Sequence, residues 1–290
     1  MKNWKFWNVC FLFSSVMGGT TEYVTCEFRG QLCNQMWTAA AVIGYALDHG
    51  CIPVFPTIKS TINGELNYQY IFHRLNTSPL PEGNECSFFH EKHSHAYSEI
   101  PYYPNKNMCL MGHFESYKYF EKHADYIREI FGPTPEILDH IQQKYGELLK
   151  EPTVAVHVRT YIPDWGYPNM GGSNWGYFIT AMDYFPADTH FLVFSDSTEW
   201  IKAHFPKENR RVTFIEGNPH YIDFYFMSLC DHFIVSPEST FSWWAAWLNP
   251  NPNKTVIVAD TWGGLFENDT IPSGWLKLPK HAPFLFTRQP

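Results

Sequence analysis

Ser239-Thr-Phe-Ser-Trp-Trp-Ala-Ala-Trp247 is the most informative segment of the chain. A short apolar segment, Phe233-Ile-Val235, precedes it, so the region reads as strand, tight loop, then helix. Hydroxyls at Ser236, Ser239, Thr240 and Ser242 converge on the loop. A helix start offers unpaired amides and the positive end of a dipole, which together suit a phosphate group. Phe241, Trp243, Trp244 and Trp247 make the helix too apolar to face water all round. The expectation is an anion-binding loop fixed onto a buried helix, at the C-terminal end of a parallel strand where nucleotides gather. The plain alternative is a Ser/Thr cap on an ordinary core helix.

The chain around this segment alternates short apolar strands with helices. Strands are expected over residues 154–158, 190–194, 212–215, 232–235 and 255–258, with helices over 175–184, 199–204, 222–230 and 241–248. That rhythm belongs to a parallel, doubly wound sheet. In the first half, residues 23–28 and 52–55 read as strands flanking a helix over 34–49 that stops at Gly50. Residues 107–111 read as a strand, and 117–130 and 137–150 as helices. Residues 57–107, rich in Pro, Asn and His, read as irregular or as an acceptor-side lobe. The expected architecture is α/β with a leader over residues 1–19, a first lobe over 20–150 and a second over 151–290, the break lying at Lys150-Glu-Pro152.

Four further constellations carry chemistry. Arg29-Gly-Gln-Leu-Cys-Asn-Gln35 joins the first strand to the first helix; Gly30 permits a tight turn, Asn34 can cap the helix and Gln35 can point into a cleft, the alternative being a simple capped strand-to-helix turn. It lacks both the dinucleotide fingerprint and the Walker lysine. In Val154-Ala-Val-His-Val-Arg159, strand alternation puts His157 and Arg159 on one face near the strand's C-terminal end. An Arg there offers a planar, permanently charged fork for phosphate oxygens; a surface ion pair is the alternative. The loop over residues 160–173 contains Asp164 and Trp165, and its length marks it as functional or mobile. In Phe194-Ser-Asp-Ser197, Asp196 is placed equally as a ribose or base acceptor and as a helix cap. In the run from Asp223 to Asp231, Asp223 reads as a cap first and a cleft residue second. The tract His90-Glu-Lys-His-Ser-His95 is not H-E-x-x-H, and no Asp-x-Asp pair occurs, so no metal site is expected.

Composition narrows the partners. The 290 residues carry a net charge of −8, which argues against a nucleic-acid partner. Aromatics reach 18%, a density that fits either a dense core or sugar-handling faces. Lys2 and Lys5 precede an uncharged apolar run from Phe6 to Met17. That pattern fits a signal peptide cut near Gly18 or Gly19, or a short anchor; a buried strand is the other reading. The run falls short of the about 20 residues a membrane span needs. Seven cysteines, six of them beyond Cys10, permit disulfides without any framework spacing.

The ordered set of motifs resembles glycosyltransferase family 11, the α-1,2-fucosyltransferases, over most of residues 23 to 265. The matching pieces are Gly30-Gln-Leu-Cys-Asn-Gln35, Gly112-His-Phe-Glu-Ser-Tyr-Lys-Tyr-Phe120, His157-Val-Arg159, Phe194-Ser-Asp196, and the stretch from Met227 to Trp247. The resemblance implies a GT-B-like enzyme with two Rossmann-like lobes, the C-terminal one binding the nucleotide sugar. It implies metal-free transfer of L-fucose from GDP-fucose to the 2-hydroxyl of a galactose-terminated glycan, with inversion. Arg159 is expected at the donor pyrophosphate with Ser239, Thr240 and Phe241 beside it. Gly30, Asn34, Gln35, Ser195, Asp196 and Asp223 are expected among the substrate-binding residues. His157, Asp164 and Asp196 are candidates for the base, unranked.

Three departures from the family pattern stand out. Thr160 and Tyr161 follow Arg159 where relatives have a second Arg and then Gly-Asp. Cys33 replaces a glycine, and Ser197 replaces a second Asp. These bear on acceptor choice and catalytic strength. They keep open a protein O-fucosyltransferase and a weakly active glycan- or nucleotide-binding module on the same fold. The expected location is a membrane or secretory compartment, with a cytoplasmic bacterial enzyme as the alternative.

Overall fold

The computed structural model describes residues 21–56, 64–83, 85–265 and 268–283. The apolar run from Phe6 to Met17 lies outside them. Among the described residues no helix is long and apolar enough to cross a membrane. The chain divides into two compact units, residues 1–132 with 268–272, and residues 133–267 with 273–290.

The first unit contains β1 (Tyr23–Glu27), α1 (Leu32–His49), β2 (Ile52–Pro53), α2 (Gly64–Tyr70), β3 (Cys86–His90), β4 (Asn107–Met111) and α3 (Ala124–Ile130). Its strands form a sheet in the order β2-β1-β4-β3, every pair parallel. Helix α1 ends where Gly50 turns left-handed at φ 72°, as the sequence predicts. Strand β3 and helix α2 fall inside the stretch expected to be irregular. The segment expected as one helix over 117–130 is broken, with 3-10 turns at Tyr117–Tyr119 and Glu121–His123 before α3.

The second unit contains α4 (Pro135–Tyr145), β5 (Thr153–Val158), α5 (Ile162–Trp165), α6 (Trp175–Met182), β6 (His190–Ser195), α7 (Thr198–His204), β7 (Arg211–Phe214), α8 (His220–Ser228), β8 (His232–Ile234), α9 (Thr240–Leu248), β9 (Val256–Ala259) and β10 (Leu276–Leu278). The sheet order is β10-β9-β8-β5-β6-β7, with every pair parallel. It begins in the middle at β5, runs out through β6 to β7, then returns to the other side of β5 with β8. That is the Rossmann order, and its topological switch point lies between β5 and β8. All six β5 residues are buried because helices cover both faces of a parallel sheet. Val154, Val156, Phe191, Val193, Ile234 and Ile257 pack there with Tyr177 and Phe178 of α6.

The expected division at residue 150 is corrected to 132/133. Helix α4 belongs with the second unit because it packs on α8, where Tyr145 stacks on Phe226 at 4.3 Å. Helix α9 is as buried as its aromatics require. Trp243 and Trp244 are fully buried, and Trp243 packs against Trp247 and Trp275 at 6.1 and 5.3 Å.

Candidate functional site

Strand β5 delivers Arg159 to the switch point, and β8 delivers the loop before α9 to the same place. The two are tied directly, since the Arg159 backbone N–H donates to Ser236 Oγ at 3.0 Å. Ser236 is buried, and its own N–H donates to Ser242 Oγ at 3.2 Å. Ser239 precedes the first residue of α9 but does not cap the helix with its side chain. Its hydroxyl instead lies 3.3 Å from Nδ1 of His157. Arg159 and the hydroxyl-bearing loop before α9 thus lie side by side.

His157 is 5% exposed and lies against Phe241, with ring centroids 5.6 Å apart. Burial pushes its pKa down to about 4; Arg159 adds to that, and Asp196 opposes it. It is neutral near pH 7 and stands behind Ser239. Phe241 is also held edge-on by Phe224 at 5.2 Å, so the first turn of α9 is braced from two sides.

The Arg159 guanidinium is held between two carboxylates. One terminal nitrogen donates to Asp164 and the other lies 3.0 Å from Asp196 Oδ2. Its flat face covers the Tyr161 ring at 5.0 Å. Asp164 sits on the short helix α5, next to Trp165.

Asp196 neither caps α7 nor stands open as a ribose acceptor. It takes hydrogen bonds from Thr160 N (2.7 Å), Thr160 Oγ1 (2.9 Å) and Tyr161 N (3.0 Å), in addition to its contact with Arg159. It is the hub that folds the loop after β5. Ser197, not Asp196, is the residue preceding α7. Ser195 is likewise engaged internally, donating to the Val158 carbonyl at 2.8 Å and accepting from Ser197 N at 3.1 Å.

The hub supports unusual backbone. Tyr161 and Glu238, neither a glycine, sit at φ 61° and 60°. Such conformations cost on the order of 1–3 kcal/mol each and persist where surrounding contacts enforce them. Asp196 enforces the first. Glu238 is clamped by Gly263 N at 2.7 Å and Lys280 Nζ at 2.9 Å. Gly171 closes the same region: a Cβ there would lie 2.2 Å from the Pro237 carbonyl oxygen, so only glycine lets the two loops meet.

Asp223 is not the cap of α8. The helix begins at His220 after Pro219, and Asp223 lies within its first turn. It accepts from Asn218 Nδ2 at 2.7 Å, and burial raises its pKa to about 6. Asn218 in turn accepts from Lys144 Nζ at 2.6 Å and Tyr145 OH at 2.9 Å. Sequence reasoning missed Asn218. Its one signal is the Asn218-Pro219 pair, a turn marker directly before a helix.

Gly30, Asn34 and Gln35 form a separate cluster in the first unit. Gly30 has φ 68°, and a Cβ on it would strike the Asn34 side chain at 2.7 Å. Asn34 is not the cap, because α1 starts at Leu32 with Gln31 before it. Gln35 is 1% exposed, and its amide donates back to the Gly30 carbonyl at 2.9 Å. It fastens the turn and does not open to a cleft. Across the same sheet edge, Glu91 Oε2 accepts from His113 N and Phe114 N at 2.8 and 2.9 Å, and His95 Nδ1 lies 3.2 Å from Glu115. Among the described residues no group of three His, Cys, Asp or Glu is gathered to hold a metal. The six described cysteines are free, and burial raises the thiol pKa values of Cys26 and Cys33.

Two Rossmann-like units of this kind define the GT-B class of glycosyltransferase fold. The chain belongs to glycosyl transferase family 11, whose family model matches residues 19–276. It is 30% identical over 187 residues to an α-1,2-colitosyltransferase of Escherichia coli, covering 59% of this chain and 62% of that protein. It is 26% identical over 192 residues to the O-antigen biosynthesis glycosyltransferase WbnK of Escherichia coli, covering 59% of this chain and 60% of that one. The matches thus span about three fifths of the length of these relatives. The fold is shared with the fucosyltransferase NodZ from Bradyrhizobium, with a TM-score of 0.51 at 15% identity over 80% of this chain and 93% of that one.

Proposed function

We propose that the chain moves L-fucose from GDP-fucose to the 2-hydroxyl of a terminal galactose, with inversion and without a metal. The observation that carries this reading is Arg159 at the Rossmann switch point, hydrogen-bonded through its backbone to the loop that opens α9. As the bond from C1 of the sugar to the β-phosphate oxygen breaks, negative charge builds on that phosphate. A fixed guanidinium and a helix start stabilise it where it develops. His157 holds Ser239 in place and stays neutral, so it adds no charge against the cation-like sugar.

The acceptor must lose a proton as its oxygen attacks C1. Of the three candidate bases, His157 is buried with a depressed pKa and Asp196 is saturated by the loop. Asp164 remains, with its carboxylate partly exposed beside Arg159. In this reading Asp164 releases Arg159 when pyrophosphate arrives and takes the acceptor proton. Asp164→Asn then leaves GDP affinity equal or stronger, because a competing carboxylate is gone, while turnover falls by about 10²-fold or more. Calorimetric titration with GDP alongside initial rates tests it. Undiminished turnover in Asp164→Asn would remove Asp164 from the chemistry.

A second donor deserves a place beside fucose. The relative from Escherichia coli is named for transfer of a different sugar, colitose. A donor panel containing both sugars as GDP derivatives separates the two readings. Residues 1–19 are proposed to direct the chain to a membrane or secretory compartment, tested by intact mass and fractionation of the full-length protein.

A further inference from the structure

The loop after β5 carries a feature that donor chemistry does not use. Trp165 stacks on Tyr161 at 4.5 Å with rings 10° from parallel, and the Tyr167 ring lies 6.1 Å from that of Trp165, tilted by 35°. Trp165 is 50% exposed and Tyr167 59% exposed, whereas the tryptophans of α9 are buried. Contiguous exposed apolar surface marks interaction sites, and Trp and Tyr rings offer a broad flat contact area.

The platform is stiff. Asp196 fixes its first residues, Asn169 N donates to the Thr160 carbonyl at 2.9 Å, and Asn169 Oδ1 accepts from Gly172 N at 2.8 Å. Trp165 N donates to the Tyr161 carbonyl at 2.9 Å. Little ordering entropy is left to lose when a ligand arrives. Arg159 covers the Tyr161 ring, on which Trp165 also stacks, and pairs with Asp164, so Tyr161 is sandwiched and the cation backs the stack. An exposed aromatic face matches the C–H face of a pyranose ring. A β-galactoside fits best, because its axial 4-hydroxyl clears one face and leaves the hydrogens on C3, C4 and C5 as one patch.

We infer that Trp165 and Tyr167, backed by Tyr161, form a stacking subsite for the apolar face of the acceptor galactoside. This rests on the galactoside reading of the acceptor. It assigns acceptor recognition to the segment where Thr160 and Tyr161 depart from the family pattern.

The test uses the full chain and saturation-transfer NMR with methyl β-D-galactopyranoside, which needs no turnover. Wild type should transfer saturation most strongly to H3, H4 and H5 of the galactoside. Trp165→Ala and Tyr167→Ala should lose that signal, and Trp165→Phe should keep most of it. In rate assays the alanine variants should raise the acceptor KM by roughly tenfold, while the Kd for GDP stays within about twofold of wild type on the same scale. Absence of saturation transfer in wild type would overturn the subsite. So would its survival in both alanine variants. An equal loss of GDP affinity in Trp165→Ala would mean that the platform stacks a nucleobase, which also overturns it. If GDP-fucose proves not to be the donor, the NMR arm still decides the subsite.

Discussion

Asp196→Asn isolates the hub that shapes the site. In the native chain Asp196 Oδ1 takes Thr160 N and Oγ1, and Oδ2 takes Tyr161 N and faces Arg159. An asparagine keeps one oxygen and turns the other position into a donor. Whichever way the amide sits, at least one backbone N–H loses its acceptor and meets a donor instead. Thr160 is fully buried, so water replaces the lost partner only if the loop opens. A hydrogen bond to a charged group contributes about 1.5–3 kcal/mol, and the weakened Arg159 contact adds to it; a local loss of about 2–4 kcal/mol follows. That corresponds to a roughly 30- to 1,000-fold rise in the opening equilibrium of the loop. Hydrogen exchange of peptides over residues 158–173 reads this directly, with peptides over β6 as the internal control. The variant should exchange faster in the loop while the β6 peptides change far less. Native-like protection of Thr160 and Tyr161 in Asp196→Asn would refute the hub.

Three other outcomes follow from the same geometry. Arg159→Ala should lower turnover by about 10²–10³-fold, and Arg159→Lys should remain poor, because a point charge cannot replace a planar fork; initial rates with unfolding curves as a fold control check this. The pH dependence of stability should carry two opposed contributions. The His157 pKa is depressed to about 4, below its unfolded value, so its contribution is intact above the unfolded value and is lost as pH falls toward 4. The Asp223 pKa is raised to about 6, so its contribution is present in acid and is lost as pH rises through 6. Urea midpoints between pH 4 and 7 should therefore steepen in Asp223→Asn, which removes the opposing contribution, and a flat difference from wild type would contradict the assignment. Activity should survive excess EDTA; loss restored specifically by manganese or magnesium would contradict the metal-free clamp.

The second unit was legible because buried parallel strands read as unbroken apolar runs; β5 and β6 are buried almost throughout. Strand β3 was hidden because it is an edge strand, and Cys-Ser-Phe-Phe-His presents no buried face to betray it. Strand β10 escaped because three residues at the other edge carry too little pattern. The boundary at 132 was invisible since the stacking of Tyr145 on Phe226 joins residues distant in sequence. The site follows the same division. Arg159 and the Ser239 loop could be read from strand ends and helix starts. The engagement of Asp196, Ser195 and Gln35 could not, because local spacing does not reveal which distant backbone groups a buried polar side chain will satisfy. The tryptophan on the 160–173 loop was visible as composition, and only its exposure and stacking gave it a role.

The proposed reaction at the Arg159 switch-point site is transfer of L-fucose to the galactose 2-hydroxyl. Its most direct test is incubation of the purified chain with GDP-fucose and a β-galactoside, followed by NMR assignment of the product linkage. GDP should be released and fucose should appear α-linked on O2 of galactose, at a rate lowered by about 10²–10³-fold in Arg159→Ala. A fucosyl product linked elsewhere, or consumption of a different nucleotide sugar with GDP-fucose untouched, would contradict it.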